Sequence, residues 1–372
     1  MRILLVSANF LPHVGGIERF TEVLAGGLAG RGHGVTVLCC RSGEAPLREE
    51  GAFAVRRVPA SFTLERRIGV PYPLPTPLEL RRALLEELGQ ADVVHVQDAL
   101  YATSVAALGL ARRRGVARVL TQHVAFVPQG NALLNAVEHA AIATLGRSAR
   151  LADAVATLTP AVAEWVAKRW RISDVRVLPV GVPARKEPVA GPAELRESFG
   201  LPADRFLALF VGRDVPKKGL EIFLAARGPE YELVAVTDRA RPEGAIGMPF
   251  MEHQRLQELL DCVDAFVLPS EGEGFPVVLQ EAFATGLPVI TTPHPGYDHY
   301  LEPGDALLVE REPGAVRTAL LRLAGDPSLR QELAARGRAA AEKHFGEAAF
   351  VTAYEQLYHE ARGLTHAGRS PA

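Results

Sequence analysis

The 372 residues exceed one ordinary core and, at about 150 residues per domain, predict two domains; 48% hydrophobic and 23% charged residues are a globular composition. Aromatics at 6% exclude an obvious stacking surface for nucleic acid, and a net charge of −2 adds no general attraction for phosphate backbones. Residues 1–180 carry 21 basic against 15 acidic side chains and residues 181–372 carry 20 against 28, which points to two bodies with different partners.

In chain order, Arg2–Ala8 reads as a strand, Ile17–Arg31 as a helix stopped by Gly32 and Gly34, and Val35–Cys40 as the next strand. Cys39 and Cys40, ending that run, read as buried thiols rather than a redox pair; with Cys262 they form no disulfide framework and no zinc spacing. Gly69–Pro77 is too proline-rich for helix or central strand and must be an extended surface loop before the helix Leu78–Leu88. Ala91–Val96 and Val116–Thr121 are strands around the helix Ala102–Arg114, and Val175–Leu178 is another strand. Four prolines and two glycines between Pro179 and Pro192 mark a linker. The alternation restarts with Phe206–Val211, Gly219–Ala226, Tyr231–Thr237, Leu256–Val263, Ala265–Leu268, a helix Pro276–Thr285 and a strand Pro288–Thr292. Glu347–Arg362 reads as a helix, with a frayed tail from Gly363. Apolar runs alternating with helices predict an α/β protein of two Rossmann-like, doubly wound parallel-sheet domains. Ligands of such sheets sit beyond the carboxyl ends of the strands, so the cleft between two facing sheets is the default site. The start is too brief for a signal segment and no run nears the roughly 20 apolar residues of a membrane span, so a reducing, cytoplasmic setting is expected.

Three segments could carry chemistry. Asn9–Glu18 places Gly15 and Gly16 between a strand and a helix start, where backbone amides and the dipole suit a phosphate; the plainer reading is a tight turn needing positive φ. Phe210–Gly219 places Arg213 and Lys218 in a strand-to-helix loop, where a planar fork and a point charge could meet one anion or simply be solvated. Pro269–Pro288 contains Glu273 in a loop and Glu281 about 8 Å further along a helix that Pro276 opens at its first turn and Gly286 stops. That spacing suits hydroxyls on two sugars of one ligand better than an acid/base pair, unless Glu281 is merely an exposed helix residue. No Walker sequence, no G-x-G-x-x-G and no Asp-x-Asp occurs.

Taken together, Val94-His95-Val96, Thr121-Gln122-His123, Val177–Val182, Gly212-Arg213 with Lys218-Gly219, and Glu273 with Glu281 resemble the retaining nucleotide-sugar glycosyltransferases of GT-B fold, glycosyltransferase family 4, over nearly the whole chain. The resemblance implies an acceptor-side domain at 1–182, a donor-binding domain at 183–346, and a helix with its tail at 347–372 that crosses back to the first domain. It implies that Arg213 and Lys218 hold the donor diphosphate, that Glu273 meets donor-sugar hydroxyls and Glu281 the ribose, and that the backbone of Gly274, Phe275, Pro276 and Val277 helps bind sugar or phosphate. Gly15 and Gly16 would close over the diphosphate, and His123 would touch the donor sugar unless it is a buried strand-end histidine; His95 lines the acceptor side or packs. The implied reaction is a retaining, mannosyltransferase-like hexosyl transfer from a UDP- or GDP-sugar to an acceptor hydroxyl, with no cofactor and no metal site. The acceptor would be a sugar, lipid-linked or phosphorylated compound, and no nucleic acid partner is expected. A non-catalytic nucleotide-sugar-binding protein and a GT-B epimerase or phosphorylase are the alternatives.

The chain departs from the family at Pro276, where glycine is usual, at Val180, where asparagine is common, and at Pro295–His299, where Gly-Gly-Glu is usual. The stretch from Lys218 to Pro269 also looks short by a helix, because Asp238–Gly247 is too brief to form one. Arg66-Arg67, Arg81-Arg82 and Arg112–Arg114 could attract an anionic, peripheral membrane face or an anionic acceptor. With 36 Arg to 5 Lys overall, arginine-covered helix ends are the slightly favoured reading.

Overall fold

A computed structural model describes residues 1–13, 15–63, 72–126, 132–178, 180–183, 188–271 and 275–367. The chain divides into two compact units, Met1–Gly181 with Glu347–Ala372, and Val182–Gly346.

The first unit is built on β1 (Arg2–Val6), α1 (Gly16–Gly30), β2 (Gly34–Cys40), β3 (Arg48–Glu49), β4 (Ala54–Val58), β5 (Ala60–Ser61) and β6 (Leu74–Pro75). It continues through α2 (Pro77–Leu88), β7 (Val93–Gln97), α3 (Ala102–Arg114), β8 (Ala117–Gln122), α4 (Ala132–Thr144), β9 (Ala154–Thr157), α5 (Pro160–Trp170) and β10 (Val175–Val177). Its main sheet has the order β10-β9-β8-β7-β1-β2-β4-β3, parallel except for the short β3–β4 pair. Leu4, Val6, Val94, Val96 and Leu120 are buried with Leu84, Leu108 and Trp170 in one core, as strands apolar on both faces require. Local chemistry ends the elements: Gly115 stops α3 in the left-handed region, and Thr159 caps α5 by accepting from the Val162 amide. Cys39 and Cys40 are free and buried, and burial pushes both thiols up to about 12, the behaviour of packing residues.

The second unit runs through α6 (Pro192–Ser198), β11 (Phe206–Val211), α7 (Leu220–Ala225), β12 (Tyr231–Val236), β13 (Ile246–Met248), α8 (His253–Leu260), β14 (Ala265–Leu268), α9 (Val277–Thr285), β15 (Val289–Thr291), β16 (Leu307–Leu308), α10 (Pro313–Gly325) and α11 (Pro327–His344). Its sheet, β13-β12-β11-β14-β15-β16, is parallel throughout. β12 and β13 are joined across residues 237–245 with no helix between them, which accounts for the shortness of that stretch. The last helix, α12 (Glu347–Ala367), belongs to the first unit, where Phe350, Tyr354 and Tyr358 are fully buried. The expected fraying from Gly363 does not occur before Ala367: Thr365 Oγ1 donates to Asp153 Oδ2 at 2.9 Å and holds the last turns down. Among the described residues, no helix is long and apolar enough to cross a membrane.

Candidate active site

Each sheet has a strand from which the order runs both ways. In the second unit it is β11, flanked by β12 and β14; in the first it is β1, flanked by β2 and β7. The loops leaving the carboxyl ends of such neighbours diverge and leave a crevice there.

In the second unit those loops are residues 212–219 and 269–276. The first carries Arg213 and Lys218, both half-buried rather than solvated. The Arg213 side chain makes no hydrogen bond or ion pair among the described residues, although its backbone carbonyl accepts from the Val215 amide at 2.9 Å. Lys218 ends a 3-10 turn, Pro216–Lys218, and its stem lies 3.6 Å from the place a Cβ on Gly212 would take. Gly219 then turns the chain into α7 with φ of 76°, and a Cβ there would stand 2.2 Å from the Pro269 carbonyl oxygen. Only glycine satisfies both the dihedral and the approach. The Glu271 amide donates to the Lys217 carbonyl at 2.7 Å, so the two loops are stitched together.

The second loop enters α9. Pro276 is the residue before the helix, with φ −57° and ψ 131°, and Val277 is the first helical one; this corrects the placement of proline at the first turn. Phe275, just before Pro276, is buried against Tyr297 and Tyr300 with ring centroids 5.0 Å away in each case. The altered Pro295–His299 segment therefore supplies one of the rings packed on Phe275. The first amides of α9, at Val277 and Val278, lack intrahelical acceptors and are available to an anion. Glu281 is 5% exposed, not a surface residue, and its Oε1 lies 3.5 Å from His253 Nδ1 at the start of α8. Glu273 and Gly274 lie outside the described residues.

Two further features of this crevice have no counterpart in the sequence reading. Ser270 Oγ and Gln280 Oε1 are buried without a hydrogen-bond partner, an unusual cost that a bound ligand or water would relieve. Arg311 reaches both loops: it donates to the carbonyl of Pro216 and, at 3.1 Å, to that of Pro269, and pairs with Glu271 at 3.4 Å.

In the first unit, the loop after β1 holds Gly15 and Gly16. Neither has positive φ; Gly15 is extended, with φ of −171°, so the tight-turn reading does not hold. A Cβ on Gly16 would meet nothing within 4 Å, while Gly15 faces the buried Glu18 carboxylate, itself 3.1 Å from His13 Nδ1. Ser7 Oγ and Asn9 Oδ1, at the end of the same strand, are buried and unpartnered. Asp98, just beyond β7, is buried with φ of 63°, a strained conformation for a residue with a side chain. Gln122 Nε2 donates to its Oδ1. The Tyr72 hydroxyl is held well above its usual value by burial and then by the charges of Asp98 and Glu138.

His123 follows β8 and is buried. Its Nε2 lies 2.9 Å from Gln97 Oε1, and Phe20 packs edge-on to its ring at 4.7 Å. Burial pushes it down to about 3, so the ring is neutral. His95 is also neutral at about 3, by burial and then by His123, and it packs: Nδ1 is 2.8 Å from the Tyr358 hydroxyl and Nε2 is 2.8 Å from Thr121 Oγ1. Arg81 and Arg82 are exposed on α2. Arg112–Arg114 fill the last turn of α3, where the helix dipole favours positive charge; Arg66-Arg67 lie outside the described residues.

Against known proteins, residues 14–186 match the family description Glycosyltransferase Family 4 and residues 205–326 match Glycosyl transferases group 1. The glycogen synthase of Mycobacterium tuberculosis is 27% identical over 406 aligned positions, covering 96% of this chain and 94% of that one. Sucrose-phosphate synthase from Thermosynechococcus elongatus superposes with a TM-score of 0.73 at 22% identity, over 97% of this chain and 99% of that one. HepE from Anabaena, solved with UDP and glucose, gives a TM-score of 0.74 at 18% identity, over 96% and 99%.

Proposed function

The chain belongs to the group 1, family 4 glycosyltransferases, of GT-B fold, and on that premise we propose that it is a retaining hexosyltransferase using a UDP- or GDP-linked sugar without a metal ion. The observation that carries this reading is the half-buried Arg213 guanidinium, unpaired among the described residues, in the loop that it shares with Lys218 at the switch point of the second sheet. As the glycosidic bond to the donor breaks, negative charge gathers on the leaving diphosphate. A guanidinium fork, an ammonium and helix amides at Val277 and Val278 are fixed donors for that charge, and such preorganised donors carry the largest share of most rate enhancements. Glu281, which is buried, takes the ribose hydroxyls, and Glu273 those of the donor sugar. Gly15 and Gly16 let the first unit's backbone come close to phosphate. His123 is neutral and offers a hydrogen-bond acceptor, which suits a sugar hydroxyl and not a phosphate. The nucleotide-sugar donor agrees with the UDP held by HepE.

Attack on the same face as the departing diphosphate retains the anomeric configuration and requires no protein nucleophile. The acceptor is a sugar, lipid-linked or phosphorylated hydroxyl compound taken by the basic first unit. Arg81 and Arg82 could also hold that unit at an anionic membrane face, and flotation with anionic vesicles at low salt would show binding if they do. The defining assay is turnover with UDP-, GDP- and ADP-hexoses, in EDTA, with sugar and lipid acceptors. Arg213→Ala and Lys218→Ala should each lower turnover at least tenfold, about 1.4 kcal/mol of lost transition-state stabilisation. Unchanged turnover in both would exclude the diphosphate assignment.

A further inference from the structure

The polar side chains under the carboxyl end of the first sheet form one chain of hydrogen bonds, and its sense can be worked out. Gln97, at the end of β7, is fully buried; its Oε1 is 2.9 Å from His123 Nε2 and its Nε2 is 3.4 Å from His95 Nε2. An amide oxygen only accepts and an amide nitrogen only donates. His123 Nε2 must then carry a proton, and His95 Nε2 must be bare. His95 Nδ1 carries the other proton and donates to the Tyr358 hydroxyl, while the Thr121 hydroxyl donates to His95 Nε2 at 2.8 Å. The Tyr354 hydroxyl in turn donates to Thr121 Oγ1 at 3.0 Å. Two of the anchors, Tyr354 and Tyr358, come from α12.

We propose that Gln97 is a positioning residue for the transfer reaction: it holds His123 as the Nε2–H tautomer, leaving Nδ1 as a hydrogen-bond acceptor for a sugar hydroxyl of the substrate. The ring plane is fixed separately, by the edge-on Phe20, so Gln97 sets the tautomer and Phe20 the orientation. His123 Nδ1 has no hydrogen-bond partner among the described residues. A histidine so held cannot donate from Nδ1, so a deoxy or methylated sugar at that hydroxyl loses the contact. The same ring does not favour an anion, which separates the sugar end of the ligand from its diphosphate. This proposal rests on the glycosyltransferase reading for the identity of the hydroxyl, but not for the tautomer.

The test is long-range proton–nitrogen NMR of the intact, 15N-histidine-labelled protein, with His123 identified by the signal lost in His123→Asn. His123 should be the Nε2–H form from pH 6 to 8. A Nδ1–H tautomer, which a reversed Gln97 amide would give, or an imidazolium in that range, would overturn the proposal. Gln97→Leu should mix the tautomers and lower kcat/KM for the sugar donor about tenfold, the effect of one hydrogen bond, with the Kd for UDP kept within twofold. Gln97→Glu should bring His123 into the titration range and give the activity a new acid limb. A single wild-type tautomer and wild-type turnover in Gln97→Leu would also overturn it. If no nucleotide sugar were turned over, the proposed reaction would fail while the NMR result still decided the tautomer.

Discussion

His95 and His123 are held at about 3 by burial against an ordinary value of 6.5, so the unfolded chain binds more protons than the folded one between those limits. Their contribution to stability is complete above pH 6.5 and is lost as the pH falls toward 3, by up to roughly 1.4 kcal/mol per pH unit for each. Urea melts at pH 7 and pH 5 should show the wild type losing roughly 1–2 kcal/mol more than His123→Asn; equal losses would mean that His123 is not buried as a neutral ring. Gly219→Ala faces both a left-handed backbone and a carbonyl 2.2 Å from the new Cβ, and should cost about 1–3 kcal/mol in the same melts. At this scale, Arg213 and Lys218 stand out in the sequence because each is a charge beside a glycine in a strand-to-helix loop, whereas Glu281 and His123 stand out only through the family resemblance. Gln97 and Asp98 do not, since one looks like any strand-end amide and the other shows its strain only as a dihedral.

Loops, not regular elements, hold the second unit's crevice, and Arg311 crosses from the segment after β16 to tie residues 216, 269 and 271 together. Arg311→Met should weaken UDP binding about three- to tenfold by calorimetry while the melting temperature changes little, because the guanidinium orders two loops and supports no core. An unchanged Kd would show that the Glu271-to-Lys217 backbone bond suffices. The core strands β1, β2, β7, β8, β11, β12 and β14 and the helices α1, α2, α3, α9 and α12 were readable from period and punctuation, whereas α4, α5, α10 and α11 were not read. Nor was β4: Ala54–Val58 interleaves Arg56 and Arg57 with its apolar residues, and Arg56 pairs with Glu86 and Glu87 on α2 while Arg57 pairs with Glu49 on β3. Tyr297 likewise became meaningful only when its ring met Phe275, a pairing between segments that no local pattern records.

Chain order and unit membership part company at α12, which follows the second unit in sequence and packs in the first. Phe350 is buried there against Phe20, with ring centroids 5.2 Å apart, and Gly181 approaches so closely that a Cβ would lie 2.5 Å from the Phe350 side chain. Phe350→Ala should destabilise the first unit by about 3–5 kcal/mol, while amide exchange protection within Val182–Gly346 stays unchanged. The apolar spacing of Glu347–Arg362 predicts this helix, but its partners are invisible to a local reading. The reaction itself turns on whether fixed positive groups in the second unit take up a diphosphate without help. Titration calorimetry of UDP- and GDP-sugars in EDTA tests this most directly. Saturable uptake of at least one of them is expected, weakened tenfold or more in Arg213→Ala; no uptake of any, or equal affinity in the variant, would contradict the diphosphate assignment.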